Sequence, residues 1–195
     1  ATVTLVFSEA VDNFSSSNIT ASNLGSGTPS GTLATMASDD DITWEGTFTP
    51  AADTEDANNT LSLDNSWTDT VGNAGTAETT ANYEVETKAP SGSFTFSWGS
   101  TVFNYPAGSS IPALKPGDNA TVTLVFSEVV TGFDSDDDIT DPHVDLAEMT
   151  SSDNRTWTGS FTPDNNSQGF ADRLELGTNY TDIAGNTGTA AESSL

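Results

Sequence analysis

The chain has 195 residues, and its 29 Asp and Glu residues face only four Lys and Arg residues, which gives a formal net charge of −25 at pH 7. This charge argues against nucleic acids and anionic membrane surfaces as direct partners, because both require a cationic footprint. The absence of cysteine excludes disulfides, thiolate metal sites and a cysteine nucleophile, and no apolar stretch approaches the roughly 18 residues of a membrane span.

The first predicted strand lies in ATVTLVFSE at 1–9, an alternating stretch rich in β-branched residues, and these residues return unchanged at 120–128. The matches continue in the same order through both copies. They include TWEGTFTP at 43–50 with TWTGSFTP at 156–163, and WTDTVGNAGTA at 67–77 with YTDIAGNTGTA at 180–190. Because the order is kept throughout, we infer the duplication of a whole domain.

One complete unit contains short predicted strands that are separated by Asp, Asn, Gly and Pro turns. They lie at 93–98 (A), 120–126 (B), Ile139 (C), Leu146 to Met149 (D), 156–161 (E), 173–180 (F) and, in the first copy, 81–86 (G). About seven short strands with such turns are typical of an immunoglobulin-like sandwich. We therefore predict an all-β protein with two tandem immunoglobulin-like β-sandwiches, of which the first lacks strand A and the second lacks strand G.

The repeat predicts one domain at 1–88 and a second at 89–195, with a linker at 87–91. Residue 1 falls inside a strand pattern, so we expect this chain to be part of a longer one that carries any targeting signal elsewhere. The two missing strands are then either cropped or supplied by neighbouring chains through edge pairing.

The motifs TVTLVFSE, W-x-G-x-F-T-P and Y/W-T-D-x-x-G-N-x-G occur in both copies. Together they resemble the bacterial Ig-like repeats of very large surface proteins, the biofilm-associated and calcium-dependent adhesins. The resemblance implies an extracellular, cell-surface protein in which such repeats act as extenders, with neighbouring repeats as partners. It also implies that calcium stiffens the joints between domains.

The topology of such a sandwich gathers the BC, DE and FG loops at the pole where the chain enters the domain. The resemblance places calcium among the carboxylates of that pole in the second copy and of the opposite pole in the first copy. Calcium suits such places because it accepts six to eight oxygen ligands in flexible geometry. The candidate ligands, with the first-copy equivalents of the strand-end residues, are Glu128, Asp182, Asp136, Asp137, Asp138, Asp53, Asp56, Glu9 and Asp69.

Two simpler interpretations compete with a metal site. The DDD run can be solvated loop charge, and no part of the chain matches the EF-hand pattern. Asp69 and Asp182 each precede Gly-Asn and could instead cap a turn through Asx hydrogen bonds.

The sequence offers little support for catalysis. His143 is the only histidine, and no serine in a nucleophile-elbow setting accompanies it. Trp44 and Trp157 fall in alternating strands and are predicted to be core aromatics. We expect no enzyme activity, and the alternatives to an extender are a subunit of a surface layer or extracellular filament, or an accessory domain of an enzyme.

Overall fold

The computed structural model describes residues 1–23, 30–99, 101–103, 115, 117–140, 144–163 and 174–193. The chain divides into two compact units, Ala1–Lys88 and Ala89–Leu195, hereafter unit 1 and unit 2. Helical structure in the described residues is confined to a 3-10 turn at Ser16–Asn18 and a one-turn helix, α1, at Ser135–Asp138. The prediction of an all-β fold is confirmed.

The strands of unit 1 are β1 (Thr2–Val6), β2 (Val11–Asp12), β3 (Ile19–Asn23), β4 (Gly31–Leu33), β5 (Thr43–Pro50), β6 (Glu55–Leu63), β7 (Thr68–Asp69), β8 (Glu78–Thr79) and β9 (Tyr83–Glu86). They form two antiparallel sheets, β1-β5-β4 and β3-β6-β8, with β9 also paired to β6 and a small ladder between β2 and β7. In order, these sheets correspond to strands B-E-D and C-F-G of an immunoglobulin-like sandwich.

The strands of unit 2 are β10 (Gly92–Trp98), β11 (Thr101–Phe103), β12 (Ala120–Phe126), β13 (Val130–Thr131), β14 (Ile139–Thr140), β15 (Val144–Leu146), β16 (Thr156–Pro163), β17 (Glu175–Leu176), β18 (Thr181–Asp182) and β19 (Ala191–Glu192). They repeat the plan of unit 1 in the sheets β11-β10-β12-β16-β15 and β14-β17-β19, with a β13-β18 ladder. The predicted strand A is present here as β10.

The repeated VTLVF strand supplies the core because its side chains alternate between the two faces of the sheet. In β12 the side chains of Val122 and Leu124 are fully buried, and Phe126 is 1% exposed. Phe133 packs edge-on against the rings of Phe126 and Trp157, with centroids 5.2 Å and 4.9 Å away. Unit 1 has its own core with the same residue types, and Trp44 and Trp157 pack against their cores as predicted.

Several short strands were not predicted. One is β19 in unit 2, which pairs with β17 as β8 pairs with β6 in unit 1. The hydrogen bond from Ser193 N to Leu174 O in unit 2 repeats the bond from Thr80 N to Leu61 O in unit 1. Another is β11, which folds back on β10 as a hairpin.

The connection between the two units runs through the predicted linker at 87–91. Thr87 remains bonded to unit 1, since its N donates to Thr54 O at 2.8 Å. Pro90 is fully buried, and its carbonyl accepts from Thr189 N at 3.0 Å within unit 2. Only Lys88 and Ala89 lie between these two anchored residues. No helix in the described ranges is long and apolar enough to cross a membrane.

Candidate metal centre

The BC, DE and FG loops meet at one end of each unit, as the topology predicted. In unit 2, Val130 N donates to Asn154 O in the DE turn at 3.0 Å, and Val130 pairs with Asp182 in the β13-β18 ladder. The chain enters unit 2 at the same end, because Ser127 N donates to Ser91 O at 2.8 Å. The corresponding backbone contacts of unit 1 lie at Val11, Asp41 and Asp69.

Asp182 holds the FG turn together from inside. Its Oδ1 accepts from Asn186 N at 2.8 Å, and its Oδ2 accepts from Asn186 Nδ2 at 2.7 Å. The side chain is only 2% exposed. Burial by itself would raise the pKa of Asp182, but the hydrogen bonds from Asn186 and neighbouring main-chain N–H groups outweigh it and hold the pKa below its ordinary value.

Asp69 repeats this arrangement in unit 1. Its Oδ1 accepts from Val71 N and Asn73 N at 2.9 and 2.8 Å, and its Oδ2 accepts from Asn73 Nδ2 at 2.6 Å. The side-chain and main-chain bonds from Asn73 lower the pKa of Asp69. The D-x-x-G-N motif is therefore a self-contained turn in which the aspartate caps the backbone, as the Asx interpretation predicted.

The other candidates at this end of unit 2 differ in exposure. Glu128 is half-buried, and Asp136 and Asp137 are exposed on α1. Asp134 caps α1, since its Oδ1 accepts from Asp136 N at 3.0 Å. In unit 1 the strand-end equivalent Glu9 is exposed. The acidic turn therefore offers two outward carboxylates, at Asp136 and Asp137.

Asp138 is the exception, because it points inward and is 3% exposed. Its Oδ2 accepts from Asp134 N at 2.9 Å, whereas its buried Oδ1 has no hydrogen-bond partner among the described residues. The equivalent residue of unit 1 is Asn18, whose Nδ2 donates to Asp64 Oδ1 at 3.0 Å. Gly177 of unit 2 stands at the position of Asp64 in unit 1. Of these two equivalent positions, unit 1 has its carboxylate at Asp64, whereas unit 2 has its carboxylate at Asp138.

Asp53 and Asp56 lie at the other end of unit 1, where the chain leaves it. Asp53 is exposed with a left-handed φ of 53°. Asp56 lies within strand β6, and its Oδ1 accepts from Asn58 N at 2.7 Å. Nearby, Lys88 Nζ forms an ion pair with Glu55 Oε2 at 3.3 Å.

The sequence analysis did not predict that the side chain of an aspartate caps the DE turn. Asp153 Oδ1 accepts from Thr156 N at 2.7 Å and from Arg155 N at 3.0 Å. These main-chain bonds, with a third from the Ser151 hydroxyl, lower the pKa of Asp153 to about 2. Asp40 makes the same bonds in unit 1, and the Ser-x-Asp pattern shared by 38–40 and 151–153 is the signal that could have identified this turn.

Across the described ranges, no group of three or more His, Cys, Asp or Glu side chains is arranged to hold a metal ion. His143 lies outside these ranges. The structure brings the three loops of each pole together, and it uses the carboxylates of Asp69 and Asp182 to build the turns themselves. Calcium binding by the remaining carboxylates stays a prediction.

The comparisons with known proteins agree with the fold. The model of a family described as the bacterial Ig-like domain matches residues 1–85 and 107–195. No curated protein and no solved structure matches the chain. The two matched ranges cover most of the sequence, and one lies within each unit. The chain therefore belongs to the bacterial Ig-like domain family.

Proposed function

We propose that this chain is a structural extender of an extracellular bacterial adhesin. The observation that carries the proposal is the repetition itself: each unit has its own aromatic core and its own set of capped turns. Bacterial Ig-like domains are typically structural and commonly exposed on the cell surface. A module that is stable by itself and can be repeated in series is suited to spanning distance.

The short connection supports a stiff spacer. Thr87 Oγ1 donates to Ala51 O at 2.7 Å within unit 1, and Pro90 O accepts from Thr189 N within unit 2. With two residues between these anchors, the connecting backbone has few free dihedral angles, unlike a flexible linker of many residues. Insertion of a Gly-Ser segment between Lys88 and Ala89 should therefore broaden the distribution of distances in small-angle X-ray scattering.

We extend the proposal to calcium at the joints between domains. The chain leaves unit 1 beside Asp53 and Asp56 and enters unit 2 beside Glu128, so the covalent path runs from one acidic end to another. The formal charge of −25 makes such ends repel each other. Calcium accepts carboxylate oxygens in variable number and geometry, and it would neutralise part of this repulsion.

The calcium proposal is tested on the whole chain. Calcium should raise the melting temperature and narrow the scattering-derived distance distribution, and EGTA should reverse both effects. Magnesium controls for general screening of charge. A melting curve and a scattering profile that are the same in calcium and in EGTA would contradict calcium binding and leave the role as a spacer untouched.

A triple variant identifies the ligands. Glu128→Gln with Asp136→Asn and Asp137→Asn should abolish the calcium-dependent rise in melting temperature. The matched control removes three exposed carboxylates of unit 1 that are not candidates, through Glu45→Gln, Glu78→Gln and Glu84→Gln. An equal loss in both triple variants would indicate screening of the net charge and no specific site.

A further inference from the structure

Two tryptophans at equivalent positions of the two units each carry a buried indole N–H without a conventional hydrogen bond. Trp44 lies in the sequence TWEG of β5, and Trp157 lies in TWTG of β16. Neither Nε1 has a hydrogen-bond partner among the described residues, although a buried indole N–H usually has one. Because the same donor is left over in both copies, the repetition points to a partner that both copies share.

A phenylalanine ring is the shared neighbour of these indoles. The ring centroids of Trp44 and Phe14 lie 4.9 Å apart at an interplanar angle of 72°. The centroids of Trp157 and Phe133 are also 4.9 Å apart, at an angle of 68°. Such a nearly perpendicular pair sets the edge of one ring against the face of the other, and the face is the negative part of an aromatic ring. A ring face can therefore accept an N–H group.

Of the two possible orientations of each pair, only one satisfies the buried donor. With the phenyl edge on the indole face, a weakly polar C–H group makes the contact, and the buried N–H loses its bond to water without replacement. With the indole edge on the phenyl face, the N–H is the positive group that meets the negative ring face. The second orientation accounts for the buried nitrogen in both units.

In unit 2 the phenylalanine stands directly before the acidic turn. Phe133 is 8% exposed and is followed by Asp134, the N-cap of α1. Asp134 Oδ1 accepts from Asp136 N at 3.0 Å, and Asp134 N donates to Asp138 Oδ2 at 2.9 Å. This hydrogen-bonded turn therefore begins next to a ring that packs in the core against Trp157.

Unit 1 repeats this order with different turn residues. Phe14 is 7% exposed and precedes Ser15, the N-cap of the 3-10 turn at Ser16–Asn18. Ser15 N donates to Asn18 Oδ1 at 2.8 Å. The turn of unit 1 has no acidic side chain, yet the pair of tryptophan and phenylalanine is kept. The pair is therefore linked to the position of the turn and not to its charge.

We propose that Trp157 is a positioning residue, whose indole N–H donates to the ring face of Phe133 and thereby holds the turn that follows against strand β16. Trp44 and Phe14 form the same N–H···π bond in unit 1. In unit 2 the turn held in this way is the one that presents the outward carboxylates of α1. The bond belongs to each unit alone, so the inference stands whether or not calcium binds and whether or not the chain is a spacer.

NMR of the full chain, labelled with ¹⁵N at its four tryptophans, tests the bond directly. A proton over the face of an aromatic ring is shielded, so the indole protons of Trp44 and Trp157 should lie upfield of one that is bound to a carbonyl. Trp67 provides this reference, because its Nε1 donates to Asp64 O at 2.9 Å. Phe133→Leu should move the indole signal of Trp157 downfield and leave that of Trp44 unchanged.

Two results of this experiment would overturn the proposal. One is an indole signal of Trp157 that lies with that of Trp67 or does not respond to Phe133→Leu. The other is a cross-peak between this indole proton and water, which would identify an ordered water molecule as the partner. If Phe133→Leu does not fold, the shifts and the water cross-peaks of the wild type decide the question alone.

Replacement of Trp157 by 3-benzothienylalanine separates the bond from the packing, because this analogue keeps the bicyclic ring and has sulfur in place of the N–H. Hydrogen exchange at the amides of Asp136 and Asp138, which bond to Asp134, should become about two- to fivefold faster. The same replacement at Trp44 is the matched control and should leave these amides unchanged. Equal protection with the analogue at position 157 and in the wild type would mean that the tryptophan acts through its bulk alone, and would overturn the positioning role.

Discussion

Asp182 and Asn186 form a closed pair, in which the two carboxylate oxygens accept from the main-chain and side-chain nitrogens of the same asparagine at 2.8 and 2.7 Å. Between them, Gly185 adopts a left-handed φ of 95°. Asp69 and Asn73 form the same pair in unit 1. The D-x-x-G-N motif, which both copies contain, therefore closes a turn at the end of each sandwich.

Asp182→Ala should lower the free energy of unfolding by about 2 kcal/mol, because it leaves the half-buried N–H groups of Asn186 without acceptors. Urea denaturation of the full chain in EGTA measures the loss, which belongs to the transition of unit 2. Asp182→Asn keeps one acceptor and should fall between the wild type and the alanine variant. A normal stability of Asp182→Ala in EGTA, with a deficit only in calcium, would mean that the residue acts as a metal ligand instead.

Gly188→Ala should cost about 3 kcal/mol, at the upper end of typical overpacking penalties. A Cβ at this position falls within the ring of Tyr180, which is fully buried and whose hydroxyl donates to Thr189 O at 2.7 Å. The ring cannot move without breaking that bond. Calorimetry of the full chain should show a lower melting temperature for unit 2 only.

Gly185→Ala is the matched control in the same loop. No atom lies within 4 Å of a Cβ there, so the cost comes only from the left-handed backbone and should be about 1 kcal/mol. A larger loss for Gly185→Ala than for Gly188→Ala would contradict the close approach to Tyr180.

The strands that carry the core could be predicted because their side chains alternate over many residues, as in β1 and β12. The two-residue strand β19 could not, because the residues Ala191 and Glu192 have no strand pattern of their own. Their conformation comes from pairing with Leu176 and Glu175. Such strands are defined by a partner that is distant in the sequence and not by local preference.

The candidate metal centre was harder to predict than the fold, for a chemical reason. A carboxylate at a strand end is suited both to capping a turn and to binding calcium, since each role needs only its oxygen lone pairs. Sequence repetition therefore could not separate the two roles for Asp69 and Asp182. The deciding fact is that Asn73 and Asn186 lie within hydrogen-bond distance, which requires the folded loop.

Asp138→Asn should raise the free energy of unfolding by about 1 kcal/mol in EGTA. The buried Oδ1 of Asp138 has no partner among the described residues, and burying a neutral amide costs less than burying a carboxylate. The bond from Asp134 N can be kept by the amide oxygen. A decrease in stability in EGTA would show that the carboxylate is needed for a reason other than metal binding.

A second substitution rebuilds the unit 1 contact in unit 2. Gly177→Asp with Asp138→Asn restores the pair that Asn18 and Asp64 form. A Cβ at Gly177 lies 3.3 Å from Asp138 O, a contact that a small shift relieves. Gly177→Asp alone should destabilise by placing two carboxylates together, so the double variant should be more stable than the sum of the single effects. Additive effects would contradict this pairing.

Asp153 should make a contribution to stability that disappears in acid. Hydrogen bonds from Thr156 N and Arg155 N lower its pKa from the ordinary 3.8 to about 2 in the folded state. A carboxylate with a depressed pKa stabilises the fold fully above the unfolded pKa and loses that contribution as the pH falls through the folded pKa. The difference in unfolding free energy between the wild type and Asp153→Asn should therefore shrink between about pH 4 and pH 2.

Only this difference is informative, because protonation of the other carboxylates relieves the repulsion of a chain with charge −25 and changes the stability of both proteins. Asp136→Asn, measured in EGTA, removes one exposed carboxylate from the same unit and corrects for the change in net charge. Chemical denaturation at a series of pH values gives all three curves. A difference for Asp153→Asn that stays constant down to pH 2 would mean that the DE turn does not depend on the ionised carboxylate.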